Sequence, residues 1–413
     1  MGIKEITPRG GVPSPAASGT YRALPAGIWA LGLVSMFMDV SSELIHSLLP
    51  VFMVSVLGAS VTTVGFIEGV AEAAAAITKV FSGTLSDYLG RRKMLALLGY
   101  GLAAFTKPIF PLASTIGWVF AARFIDRIGK GIRGAPRDAL VADITPRELR
   151  GKAYGLRQSL DSVGAFIGPL LAVAFMAWLA NDIRIVLWIA VVPAFLSVFL
   201  LIFGVHEPEP AETNPGARNS PGWAGARELP RHYWFIVLAS AGFTLARFSE
   251  AFLVLRAQDV GLTIGYAPMV MIVMNLAYAG TSYPAGAAAD RLSRRTLLIV
   301  GLAILVAADI VLAAAASPSA VFIGTALWGV HMGLTQGLFA ALVADAAPVR
   351  LRGTAFGIFN LVSGGALLLA SALAGLLWSS CGAPATFLGG AVLAAIAALG
   401  LLAYRGGGGT ELT

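Results

Sequence analysis

The chain alternates long apolar tracts with short polar gaps. Tracts fall at 27–57, 61–83, 94–113, 117–142, 152–180, 183–205, 232–256, 263–288, 296–316, 318–344, 353–378 and 383–404. At about 1.5 Å of rise per helical residue, each can cross a hydrocarbon core about 30 Å thick. Periodicity does not separate a buried strand from a helix, but length does, and a transmembrane barrel would show alternating segments of about ten residues. The pattern predicts an all-α membrane protein with twelve transmembrane helices.

The pattern also repeats. "ALVADITPRELRGKAYG" at 139–155 returns as "ALVADAAPVRLRGTAFG" at 341–357, an offset of 202 positions. "GTLSDYLGRR" at 83–92 returns as "GAAADRLSRR" at 286–295, aligning Gly83 with Gly286 and Asp87 with Asp290. Repeats at a fixed offset imply repeated architecture. The expected organisation is an N-terminal tail (1–26), a six-helix bundle (27–205), a Pro/Gly/Glu-rich cytoplasmic linker (206–231), a second six-helix bundle (232–404) and a short tail (405–413). A pseudo-twofold axis would relate the bundles, which suits rocking around a central site.

Composition agrees: 57% of residues are hydrophobic and 12% charged, against about 25% charged in globular domains. The mean hydropathy is +0.80. The net charge of +7 is spread in a way that excludes nucleic acid as its purpose. Lys and Arg gather in the termini and in alternate loops, such as Arg91, Arg92 and Lys93, Arg147 and Arg150, and Arg350 and Arg352, whereas the opposite loops hold Arg184 and, at an edge, Arg256. The positive-inside rule then orients a multi-pass inner-membrane protein with both termini cytoplasmic. Residues 1–24 show no short apolar core with a cleavage site, so they read as a tail rather than a signal peptide. The single cysteine, Cys381, excludes an intrachain disulfide and a multi-cysteine metal site. There is no phosphate-binding glycine loop, no nucleophile–histidine–acid arrangement and no soluble domain to house an enzyme, and no cofactor is implied.

Over nearly its whole length the chain resembles the major facilitator superfamily. The loop after the second helix resembles that family's Gly-x-x-x-Asp-Arg-x-Gly-Arg-Arg signature at Gly83, Asp87, Gly90, Arg91 and Arg92, with Tyr88 in place of the first arginine. The second copy supplies Gly286, Asp290, Arg291, Arg294 and Arg295, with Ser293 in place of glycine. The resemblance implies a cytoplasmic gate in which the aspartates accept bonds from arginines or a helix N-terminus; anchoring of basic loops to anionic headgroups is the alternative. Gly164, Gly168 and Pro169 resemble the Gly-x-x-x-Gly-Pro pattern of the superfamily's antiporters, which favours export; close helix packing explains the same residues. "DVSSELIHSLLP" with "RIGKGIRGAPRDAL" resembles a bacterial efflux branch that includes nickel-resistance-type exporters. The C-terminus "YRGGGGTELT" lacks the His-rich tail of dedicated nickel handling. A monomer is the state the superfamily implies.

Ionisable residues inside a bilayer are expensive and mark function by default. Asp39, Glu43 and His46 stand on one face of the first helix, and Glu68, Glu72 and Lys79 on one face of the second. The fourth helix carries Arg123, Asp126, Arg127, Lys130, Arg133, Arg137 and Asp138, the fifth Arg157 and Asp161, and the seventh Arg247 and Glu250. Nearly balanced signs in the first half predict an ion-pair network, with proton-linked chemistry there and a more apolar wall in the second half. Asp39, Glu43 and His46 admit three readings: a proton-coupling site, a metal site, or acids that pair with fourth-helix arginines. Gly129, Gly131, Gly134 and Pro136 predict local unwinding of the fourth helix, with Arg123 or Arg127 exposed to the cavity.

The expected function is secondary active transport by alternating access. It takes the form of proton-coupled export of a small molecule, the cargo being a metal ion, a metal chelate or an organic anion. A transporter-like receptor without net flux, and a proton-coupled importer, are the alternatives.

Overall fold

The computed structural model describes residues 24–89, 91–146, 149–207, 223–289, 293–348 and 351–403. The first half contains α1 (Ala26–Val51, prolonged by a π turn over Phe52–Val56), α2 (Val61–Leu89), α3 (Arg92–Thr106), α4 (Ile109–Leu112), α5 (Ile116–Ile144), α6 (Arg150–Trp178), α7 (Ile183–Ile189) and α8 (Val191–Gly204). After a 3-10 turn at Trp223–Glu228, the second half contains α9 (Arg231–Leu245), α10 (Ala251–Asp259), α11 (Met269–Ala289), α12 (Arg294–Ala314), α13 (Pro318–Ala346), α14 (Arg352–Cys381) and α15 (Ala383–Ala403). With α3–α4, α7–α8 and α9–α10 each forming one interrupted rod, the twelve tracts become twelve membrane helices.

The 202-residue offset of the sequence reappears in three dimensions. It relates both ends of α5 to those of α13, and the starts of α3 and α6 to those of α12 and α14. Packing repeats too: α2 against α5 and α3 against α5 correspond to α11 against α13 and α12 against α13. Among the described residues, eight rods are long and apolar enough on composition to cross a membrane. The others are α2 and α5, which carry the charged clusters, the interrupted α9–α10, and α13, which holds His331 and Gln336. Large exposed side chains such as Phe105, Trp178, Val192 and Leu238 belong to the outer surface, where a hydrocarbon solvent makes their exposure inexpensive.

Besides the interruptions of the third and sixth tracts, three expectations change. α2 runs six residues past its predicted end at 83 and takes the loop signature's first residues into its last turns, because a helix needs no lipid around it once its own hydrogen bonds are made. α5 is continuous, not unwound. Its glycines serve close approach instead: a Cβ on Gly129 would stand 2.6 Å from the Gly99 carbonyl oxygen, and one on Gly131 would stand 2.7 Å from that of Ala75. The Ser82 hydroxyl donates to the Gly131 carbonyl at 2.9 Å, so α5 sits wedged between α2 and α3. The seventh tract, predicted as one helix, breaks over Ala246–Glu250 between α9 and α10. There the freed Ser249 N–H donates to the Ser371 hydroxyl at 3.2 Å, which meets the demand for a partner on a buried backbone group.

The halves meet along α2 with α14, along α6 with α11, and at one end through α1 with α10. An apolar plug closes that end, in which Leu44, Leu48 and Phe52 join one core with Phe248, Phe252 and Leu255. Among the described residues α5 and α13 share no comparable packing. A space therefore remains between the halves toward the end bearing the basic loops.

Candidate functional site: a charged cavity between the halves

That space is a cavity of about 1090 Å³. From the first half, α1 contributes Asp39 and Glu43, α2 contributes Glu72 and Lys79, α5 contributes Lys130, Arg133, Arg137 and Asp138, and α6 contributes Asp161. The second half contributes one charged residue, Arg247, beside neutral and aromatic side chains such as Phe243, Asn275, Tyr278, Gln336, Phe339 and Asn360. Exposure falls with depth along α1, from 27% at the Asp39 side chain to 21% at Glu43 and 8% at His46, and reaches 1% at Glu68 behind it. Water thus reaches the acids from the basic-loop end.

Helix packing positions these acids. Gly164 and Gly168 of α6 lie directly against α1: a Cβ on Gly164 would stand 2.6 Å from the Met36 carbonyl oxygen, and one on Gly168 would stand 2.7 Å from that of Val40 and 2.9 Å from the Glu43 Cβ. Pro169 lies inside α6, which stays helical through it. The Gly-x-x-x-Gly-Pro run therefore presses α6 against the turns that carry Asp39 and Glu43.

Most of the charges are paired. Arg123 grips Glu68 with two parallel hydrogen bonds, Nε to Oε1 at 3.1 Å and Nη2 to Oε2 at 2.6 Å, the strong fork geometry of arginine and carboxylate. Arg127 reaches Glu72 at 3.4 Å. Lys107, at the α3–α4 break, holds Asp126 at 2.8 Å and donates to the Ser42 hydroxyl. Arg137 pairs with Asp138 at 3.1 Å and Arg157 with Asp161 at 2.6 Å, and Arg133 stands 4.0 Å from Asp39 and over the Tyr100 ring. The expectation that Arg123 or Arg127 is exposed is overturned: both are buried at 2%, since α2 brings Glu68 and Glu72 against them.

His46 occupies a different place. Its Nδ1 lies 3.7 Å from Glu43 and its Nε2 3.6 Å from Glu68, and Nε2 has no hydrogen-bond partner. The imidazole thus bridges an acid that faces the cavity and an acid sealed in the protein. Among the described residues no group of three or more His, Cys, Asp and Glu side chains is placed to hold a metal ion. His46 turns toward α2, while Asp39 points to Arg133. Glu250 is the residue just before α10 and is not part of the cavity wall, and Arg247 lies just past the end of α9. A cation after a helix C-terminus and an acid at a helix N-terminus both suit the helix dipole. His331 is fully buried, its Nδ1 2.8 Å from the Gly301 carbonyl oxygen.

The loop signature is described in part. The Asp87 side chain, Gly90, Asp290 and Arg291 lie outside the described residues, and Gly286 is described only as part of α11. Gly83 stands with its missing Cβ 3.5 Å from that of Ala135, and Arg91 is exposed just before α3. Arg92 donates to Asp143 at 2.5 Å and Arg294 to Asp345 at 2.5 Å, and Arg295 donates to the carbonyls of Leu401 and Leu402. Each contact braces helices of the same half. Asp143 and Asp345 escaped the reading of the sequence, although both end the repeated "ALVAD" and their offset is the repeat's own 202.

Two stretches of the chain, residues 31–255 and 246–408, match one family. The chain belongs to the Major Facilitator Superfamily. It is 33% identical to an MFS-type transporter of Methanocaldococcus jannaschii over 92% of this chain and 95% of that protein. It is 27% identical to the gentisate transporter of Corynebacterium glutamicum over 77% of this chain and 73% of that protein. Its fold matches a bacterial homologue of the human lysosomal transporter Spinster, with a TM-score of 0.72 at 16% identity, covering 92% of this chain and 97% of that one. The chain is thus a multi-pass membrane transporter of the superfamily, a class that carries small molecules rather than converting them.

Proposed function

We propose that the chain is a proton-coupled secondary transporter working by alternating access, with Glu43, His46 and Glu68 as its proton path. The observation that carries this reading is the imidazole held between a cavity acid and a buried acid, 3.7 and 3.6 Å away. A proton that enters at Glu43 can pass to His46 and change the charge facing Glu68, Arg123 and Arg127, the groups that tie α1, α2 and α5 together. With the basic loops cytoplasmic, the cavity faces the cytoplasm of an inner-membrane protein, and closure of the opposite end by α1 and α10 makes this one of two alternating states. The Gly164, Gly168 and Pro169 run supports export by antiport. A small organic anion is favoured over a metal ion as cargo, because the cavity keeps cations without an ion pair.

Those cations also favour a second reading, import by proton–anion symport: a proton added among the acids leaves the cavity more attractive to an anion. The gentisate transporter of C. glutamicum is named for an organic acid, which agrees with such cargo. Proteoliposomes loaded with a pH-sensitive dye separate the readings, with salicylate, citrate and ethidium as outside probes and protein-free vesicles as reference. Antiport alkalinises the lumen on probe addition and symport acidifies it. No protein-dependent pH change and no uphill accumulation of any probe would overturn proton coupling.

A further inference from the structure

Among the described residues, every acid lining the cavity has a basic or imidazole neighbour within 4.0 Å, while Lys79, Lys130 and Arg247 line it with no ion pair. Lys130 belongs to the first half and Arg247 to the second. Lys130 is within electrostatic reach of Glu72, Glu43 and Asp39, and Arg247 of Glu250 and Glu72, but neither cation stands within ion-pair distance of any of them, and Glu72 is engaged by Arg127 at 3.4 Å. The two cations therefore stand on opposite walls of the cavity, each without a direct ion-pair partner.

The wall beside Arg247 is aromatic. Phe243 is held edge-on to Phe339 with ring centres 5.0 Å apart, and it stacks on His331 at 5.5 Å. Tyr278 lines the same side of the cavity, and Gln336 and Asn360 add neutral donors and acceptors. A fixed aromatic face next to a guanidinium offers a planar apolar body and a bidentate carboxylate partner at once.

We propose that Lys130 and Arg247 form a two-sided carboxylate clamp, and that the cargo is a planar aromatic or conjugated monocarboxylate stacked on the Phe243 wall. This deepens the transporter reading and rests on it for the cargo role alone. One anion bridging the two cations links the halves, so binding itself favours closure over the occupied site. Lys79, nearer the open end, draws the anion in.

The test is equilibrium binding of radiolabelled salicylate to the purified full-length protein in detergent, with unlabelled salicylamide and cyclohexanecarboxylate as competitors. Saturable salicylate binding is expected. Salicylamide, lacking the charge, should compete about tenfold or more weaker, and cyclohexanecarboxylate, lacking the flat ring, measurably weaker. Arg247→Gln and Lys130→Gln should each weaken salicylate by about tenfold, and Arg247→Lys should restore part of the loss. Salicylamide competing as well as salicylate, absence of salicylate binding by the parent protein, or unchanged affinity in the Lys130→Gln/Arg247→Gln double variant would overturn the clamp. The parent's selectivity decides the matter even if a variant fails to fold. Salicylate binding without flux in vesicles would sink the transporter reading and leave the clamp standing; proton-driven flux of another compound without salicylate binding would do the reverse.

Discussion

Replacing Glu43 with Gln brings uphill transport down to the level of protein-free vesicles and leaves downhill exchange of labelled cargo near the parent rate. The amide keeps the size and shape of the side chain but cannot carry the proton from the cavity to the imidazole 3.7 Å away. His46→Gln should do the same by cutting the step to Glu68. Asp39→Asn is the companion measurement, since Asp39 is the more exposed acid of α1 and stands 4.0 Å from Arg133. If Glu43→Gln and Asp39→Asn both accumulate cargo like the parent, the acids of the first half do not couple transport to protons.

The largest effect on stability is expected at Arg123. Its guanidinium and the Glu68 carboxylate are 2% and 1% exposed and share two hydrogen bonds. Arg123→Met strands a buried carboxylate and should cost about 3–5 kcal/mol, since breaking a buried pair leaves an uncompensated charge. The double variant Arg123→Met/Glu68→Leu removes both charges and should recover most of that loss, because a buried pair is often replaceable by apolar residues of similar size. It should nevertheless be uncoupled, because His46 has lost its inner partner. Thermal unfolding of the three proteins in one detergent checks the first claim and vesicle accumulation the second. A double variant as unstable as the single one would show that the pair is not what Arg123 contributes.

The twelve helices were legible because tract length alone separates membrane helices from strands, and the two halves because the loop after the fourth helix was copied nearly intact. The site was legible in part. Helical spacing puts Asp39 with Glu43 and Glu68 with Glu72, since it reports faces of a single helix. It says nothing of which face meets which, so the partners of Arg123 and Arg127 needed the packing of α2 on α5. The same gap hid Arg92 with Asp143, a pair 51 residues apart. The glycines of α5 were misread because a glycine that permits unwinding and one that permits close approach are the same letter; only the backbone of Gly99 and Ala75 at its flank decides. The break between α9 and α10 depends on a hydroxyl 122 residues away, Ser371. No window of sequence around Arg247 contains that partner.

The central claim is that the halves swing about the cavity and that protonation of the acids in the first half biases the swing. Gly151 and Gly353 are the direct place to look. They are exposed, lie at the starts of α6 and α14 by the open end, relate by the 202-residue offset, and have nothing within 4 Å of an added Cβ. With exposed Cys381 changed to Ser, spin labels at Gly151→Cys and Gly353→Cys report the width of that end by pulsed electron resonance in lipid nanodiscs. The expected result is two distance populations whose ratio shifts as pH falls, with Glu43→Gln fixing the ratio at all pH values. A single distance, unchanged by pH and unchanged by Glu43→Gln, would contradict the account.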